Sequence, residues 1–313
     1  MAERVFVTGA TGVIGRRVVP ELVRLGYDVT AVGRTDEKRA TLAKMGATAI
    51  APQTDADGRI STALAAKALV GHTAVVNLAT HMPPTTTKML LPWEWTENDR
   101  VRRDDSAALV EAALTAGVRQ FIQESFALVY EEGGDRWIDE SFPQRPVKYN
   151  RTVLDAEASA TRFTAAGGVG VVMRFAGFYG PDRLLRDMVG VVKNGWSPLP
   201  GRGDAFASSV AHEDAARAVV IAVHGKVGAG AYNICDDEPL RRAEWVSVLA
   251  AAAGAQAPKM IPAWLTKLAG SGVELLSRSL RMSNATFKRA TGWSPRWPSV
   301  REGLPDAIRA LDH

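Results

Sequence analysis

Val5-Phe6-Val7-Thr8-Gly9-Ala10-Thr11-Gly12-Val13-Ile14-Gly15 carries a β-branched stretch straight into a glycine-rich turn and on into a helical pattern. Val5 to Thr8 reads as a strand, and Ile14, Val18, Leu22 and Leu25 form one apolar stripe before Gly26 closes the helix. Glycines permit the tight turn and a close backbone approach, while the helix N-terminus offers N–H groups to a pyrophosphate. A strand, a glycine turn and a helix in this order define a dinucleotide loop. Gly9, Thr11, Gly12, Val13, Ile14 and Gly15 are therefore its candidate cofactor-binding residues. Pro20 inside the helix should loosen the turn before it, because it lacks an N–H and its ring crowds that turn.

Outward from this loop, short β-branched runs alternate with longer amphipathic segments, the pattern of βαβ units and a parallel sheet. Strands are expected at Val29 to Val32, Ala47 to Ala51, Ala74 to Ala79, Gln120 to Glu124, Val169 to Arg174 and Ala231 to Cys235. The fold class expected is α/β, a doubly wound parallel sheet of Rossmann type with a smaller C-terminal substrate domain. Residues 1–178 and 208–235 are assigned to the dinucleotide-binding domain, and residues 179–207 and 236–313 to the substrate-binding domain. The tail from Asp236 is helix-rich and carries Trp245, Trp264, Trp293 and Trp297.

Composition narrows the class. With 313 residues, 46% hydrophobic and 23% charged, the chain suits a globular enzyme and excludes disordered and fibrous classes. A net charge of +4, from 38 basic and 34 acidic residues, is too small to imply a nucleic-acid partner. The densest charge run, Glu97 to Asp105, mixes both signs and reads as a solvated helix face. No apolar run approaches the roughly 18 residues of a bilayer span, and a strand begins directly after Met1-Ala2-Glu3. The expectations are no membrane partner and a cytoplasmic location, with a homodimer allowed but not required. The single cysteine, Cys235, fits a reducing compartment. No His, Cys or carboxylate spacing suggests a metal.

The end of the second strand speaks to cofactor choice. A carboxylate there normally binds the adenosine ribose hydroxyls, but Gly33 holds the place and Arg34 follows. Without that repulsion, an arginine can pair with a 2′-phosphate. NADP(H) is expected ahead of NAD.

Further motifs extend the pattern: Asn77-Leu78-Ala79-Thr80, then Gln120-Phe121-Ile122 leading to Val129-Tyr130, and Arg174-Phe175-Ala176-Gly177-Phe178-Tyr179-Gly180-Pro181. His212-Glu213-Asp214-Ala215-Ala216, Tyr232-Asn233-Ile234 and Gly292-Trp293-Ser294-Pro295 follow. On these motifs the chain resembles, almost end to end, the extended short-chain dehydrogenase/reductase family, of the epimerase/dehydratase type. The resemblance implies nicotinamide lying across the strand C-termini, with Gly9, Gly12, Val13 and Ile14 on the pyrophosphate and Arg34 on the 2′-phosphate. It further implies Asp55 on the adenine amine, and Leu78, Ala79 and Thr80 lining the fourth strand's end.

The same resemblance implies a Ser or Thr, a Tyr acid/base and a Lys four residues after the Tyr. The tyrosine is matched by Tyr149, but position 153 is Val and the hydroxyl position falls on Phe126. Valine cannot lower a phenol's pKa, and Lys148 and Arg151 fall off the tyrosine's helical face. Ser125 replaces the hydroxyl only if the strand end bends, since neighbouring side chains in a strand point opposite ways. Glu124 either acts as a general acid or base or satisfies backbone at the strand end. His81, beyond the fourth strand, either transfers protons or packs. His212, Tyr130 and Tyr179 read as structural. Trp93, Trp95, Trp196 and Trp264 suit an aromatic-substrate pocket or the core equally.

These readings converge on an NADP(H)-dependent oxidoreductase acting on a small carbonyl or alcohol substrate, with a degenerate Ser-Tyr-Lys site. Two alternatives stay open: a cofactor-retaining epimerase, dehydratase or lyase, and a non-catalytic NADP sensor resembling NmrA-like regulators.

Overall fold

The computed structural model describes residues 3–82, 91–147, 150–225, 227–260 and 277–311. Its centre is a seven-stranded parallel sheet, and each of its strands falls on a run expected from sequence. In chain order these are β1 (Arg4–Thr8), β2 (Asp28–Val32), β3 (Thr48–Ile50), β4 (Ala74–Asn77), β5 (Gln120–Phe126), β6 (Val169–Phe175) and β7 (Gly230–Ile234). They lie side by side as β7-β6-β5-β4-β1-β2-β3. The chain reverses its direction of winding between β1 and β4, and a crevice opens beyond the strand C-termini at such a switch point. This is the doubly wound α/β fold.

The strands are buried on both faces, which is why they read as continuous rather than alternating apolar runs. Below one face, α1 (Gly15–Arg24) packs against the helix His212–Val223, with Val18, Val19 and Leu22 beside Ala215, Val219 and Ala222. Below the other, α3 (Thr62–Leu69) packs against the helix Ser106–Thr115, joining Leu69, Leu109 and Val110 to Phe6, Phe121 and Phe163. Pro20 lies inside α1, which continues through it.

A third apolar cluster draws Tyr179, Leu185 and Val192 together with Leu240, Trp245, Leu249, Val300 and Leu304. It lies in C-terminal segments outside the large sheet. Among the described residues no helix is long and apolar enough to cross a membrane. Among the same residues no group of three or more His, Cys, Asp or Glu side chains could hold a metal ion.

Candidate functional site

A cleft of about 510 Å³ opens over the C-terminal ends of β1, β2 and β4. Its floor follows from strand register: Thr8 sits opposite Asn77, and Asn77 opposite Gln123. Thr8 Oγ1 donates to Asn77 Oδ1 at 2.5 Å, and Asn77 Nδ2 donates to Gln123 Oε1 at 2.9 Å. This chain of buried hydrogen bonds ties the three strand ends together.

The glycine loop forms one wall. Gly9 has φ of +64°, and a Cβ there would lie 2.3 Å from the Leu78 carbonyl oxygen. A Cβ at Gly15 would lie 2.3 Å from Gly9 O, whereas one at Gly12 would meet only Gly9 O, at 3.1 Å. Gly9 and Gly15 thus let the loop fold, and Gly12 leaves its cleft side open. Gly9, Thr11 and Gly12 line the cleft; Val13, Ile14 and Gly15 do not, and Ile14 packs into the core. The start of α1 has no side-chain cap and no acid in its first turn. Such a terminus suits a pyrophosphate. The cradle fits a dinucleotide.

Arg34 lines the cleft as expected, and so does Lys38 on α2 (Asp36–Lys44), which the sequence reading missed. Thr35 caps α2 by accepting from the Lys38 N–H at 3.2 Å. Arg39 turns away and donates to Gly33 O at 2.9 Å. Leu78, Ala79, Thr80 and His81 also line the cleft, with the His81 N–H donating to buried Asn98 at 3.0 Å.

Asp55 is placed differently. It is exposed outside the cleft lining, and its Oδ1 accepts from the N–H groups of Asp57 and Arg59, both at 3.0 Å. Its carboxyl closes its own turn, a local bond that Asp makes readily.

The charge run 97–105 requires a further correction. It is a solvated face only in part: Asn98 and Arg102 are buried, and Glu97, Arg100, Val101 and Asp105 line the cleft. The cause is local geometry. Val101–Asp105 forms a π turn between the α-helical pieces Thr96–Arg100 and Ser106–Thr115. Wider spacing per turn changes which residues share a face, and such turns concentrate at functional sites. Arg100 pairs with Glu97 at 2.7 Å and with Asp105 at 2.8 Å. The Arg100 hydrogen bond holds the Glu97 carboxyl below the usual carboxylate range against its burial, aided by the charges of Arg100, His81 and Arg34. Burial pushes Asp105 the other way, above its usual range, although Ile60 N–H and Arg100 oppose it.

The acid/base candidates Tyr149, Ser125 and Glu124 fare unequally. Tyr149 lies outside the described residues, as does Trp264. Ser125 is fully buried, and its Oγ donates to Glu157 Oε1 at 2.5 Å; Arg174 grips the same carboxylate at 2.7 and 2.9 Å. The strand does not bend to bring Ser125 into the cleft. Glu124 points the other way and takes a 2.9 Å ion pair from Arg102, itself 2% exposed. Glu124 thus serves Arg102, a partner that neither reading of it foresaw. Val153 is buried in the core at the start of the helix Val153–Ala165 and supplies no cation.

The residues read as structural are so placed. Arg174 Nη1 donates to the Tyr130 hydroxyl, which donates in turn to Asn233, and burial pushes this phenol up to about 12. Burial also raises Tyr179 and lowers His212 to about 3. Cys235 is buried and free. Trp95 is buried, whereas Trp93 and Trp196 are exposed.

Fold and cleft together define a doubly wound dinucleotide-binding enzyme of the extended short-chain dehydrogenase/reductase kind. The model of the NAD dependent epimerase/dehydratase family matches residues 5–235, and the chain belongs to that family. A curated relative, the 3-diazoavenalumate denitrifying reductase of a Streptomyces species, is 31% identical over 312 residues, covering 96% of this chain and 99% of the relative. Among solved structures, UDP-glucose 4-epimerase from Thermotoga maritima, with UDP-glucose, superposes with a TM-score of 0.77 at 20% identity, covering 99% of this chain and 98% of the other. Human epimerase family protein SDR39U1, with NADPH, gives 0.75 at 20% identity over 98% and 99%. The cofactor class is a nicotinamide dinucleotide, and the chain is an NAD(P)-dependent oxidoreductase/epimerase-like enzyme.

Proposed function

We propose that the chain is an NADPH-dependent reductase whose hydride acceptor needs no proton in the transfer step, as an aryl diazonium group does not. One observation carries the reading: two polar groups expected to assist a carbonyl are engaged elsewhere, Ser125 with Glu157 and Glu124 with Arg102, and the place expected to hold a lysine is a buried valine, Val153. Bound NADPH supplies a hydride. A ketone that takes hydride becomes an alkoxide and requires an acid. An aryl diazonium cation that takes hydride yields arene and dinitrogen, with charge balanced and no proton consumed. The name of the 31% identical Streptomyces relative, a denitrifying reductase of a diazo compound, supports the same class.

Arg34 and Lys38, two cations on one cleft with no carboxylate at Gly33, support the phosphorylated cofactor. The C-terminal segments 179–207 and 236–313, which furnish most of the third apolar cluster, are assigned to substrate binding.

The test offers the purified protein 4-carboxybenzenediazonium and 4-carboxybenzaldehyde with NADPH deuterated at C4. The expected result is protein-dependent dinitrogen release with deuterium in the arene, unaffected by Tyr149→Phe. Rapid aldehyde reduction that Tyr149→Phe lowers by about 10²-fold or more, the range of a general acid, would overturn it in favour of a carbonyl reductase.

A further inference from the structure

The carboxylates at the β3 end of the cleft are unevenly placed. Asp55, expected to read the adenine amine, stands exposed outside the cleft lining, its Oδ1 closing its own turn. Asp105 enters the same end of the cleft from the π turn. Its Oδ1 accepts from the Ile60 N–H at 3.2 Å and from Arg100 Nη1 at 2.8 Å, and its Oδ2 from the same Nη1 at 2.9 Å. A carboxylate has about four lone-pair sites, so one on Oδ2 is left. Ile60, Ala65 and Leu109, which line the cleft with it, are apolar and suited to the faces of a purine. Among the described residues of the lining only Glu97 and Asp105 carry a carboxylate, and Asp105 is the one bonded to Ile60 at the β3 end.

We propose that the Asp105 carboxylate accepts the 6-amino group of the cofactor's adenine, replacing Asp55 in that role. The proposal rests on the dinucleotide reading of the cleft. Arg100 is the positioning residue: gripping both Asp105 oxygens, it turns the free Oδ2 lone pair toward the base. A carboxylate at this place also repels a 6-oxo purine, so the site selects adenine over hypoxanthine.

The test is calorimetric binding of NADPH and of its hypoxanthine analogue to the intact protein, which reads affinity and not turnover. The native protein should bind the analogue about 10- to 100-fold more weakly, the range of a hydrogen bond to a charged group. Asp105→Asn, whose amide can donate to a 6-oxo group while its oxygen still accepts from Ile60, should bring the two affinities together or invert them. Asp55→Asn should leave the native ratio intact. If Asp105→Asn does not fold, the triple variant Glu97→Gln/Arg100→Met/Asp105→Leu removes the whole ion-pair network without leaving an orphan charge, and should likewise abolish the discrimination. An unchanged ratio in a folded Asp105 variant, or no discrimination by the native protein, overturns the proposal. Failure of the native protein to bind either dinucleotide overturns the cofactor reading beneath it.

Discussion

Ser125 Oγ lies 2.5 Å from Glu157 Oε1, inside a network that includes Arg174, Tyr130 and Asn233 and no cleft residue. The hydroxyl nearest in sequence to the family's catalytic position is therefore a core hydroxyl. Glu157 is buried at 8% exposure, so its charge is tolerated because Arg174 and Ser125 satisfy it.

Ser125→Ala should leave turnover unchanged and lower stability by about 1–3 kcal/mol, the cost of an unsatisfied buried acceptor. Urea denaturation beside a rate measurement checks both. A catalytic serine would reverse the pattern.

Arg102→Met should be far more damaging, by about 3–5 kcal/mol, because it strands the Glu124 charge in a site only 12% exposed. Arg102→Met/Glu124→Leu should recover most of that loss, since a buried pair replaced whole is often neutral. Denaturation midpoints of the two variants decide it.

The glycines should separate folding from binding. Gly9→Ala puts a Cβ 2.3 Å from Leu78 O at a positive φ and should unfold or strongly destabilise the protein. Gly12→Val should fold and lose the dinucleotide, because its side chain enters the cleft. Circular dichroism and cofactor titration distinguish these outcomes.

Arg34→Ala and Lys38→Ala should each weaken NADPH by about 10- to 100-fold, on the scale of one charge-assisted hydrogen bond, and leave NADH unchanged. Fluorescence titration at two ionic strengths reads the loss and its salt dependence. Equal losses for both cofactors would remove the 2′-phosphate assignment.

His212 should make the fold acid-sensitive. Burial first, then the charges of Arg17 and Arg16, lowers its pKa from 6.5 to about 3, so the native ring refuses a proton that the unfolded chain accepts. Its stabilising contribution is complete above pH 6.5 and is lost as pH falls toward 3, with a slope of up to about 1.4 kcal/mol per pH unit. Burial lowers His72 in the same direction, so the reading is a difference. His212→Gln should show a shallower decline between pH 6.5 and 4 than the native protein, measured by urea denaturation at each pH.

The strands of the sheet were legible in sequence because each is a short β-branched run bounded by turn residues, and the glycine loop because its backbone demands are local. Arg34, Leu78 and His81 were legible for the same reason: they directly follow strands whose ends must meet at the switch point. The fate of Ser125, Glu124 and Asp55 was not, because each depends on a partner that only packing supplies, Glu157 from 32 residues away and Arg102 from 22 in the first two cases, and a turn bond rather than a ligand in the third. The charge run 97–105 hid Asp105 because a π turn shifts the helical phase, and nothing in a list of alternating charges reveals that shift. Sequence alone thus determined the strands of the sheet and the glycine loop that opens its first helix. Tertiary structure decided which polar side chains face the cleft, since in a buried site each charge goes first to the partner that satisfies it.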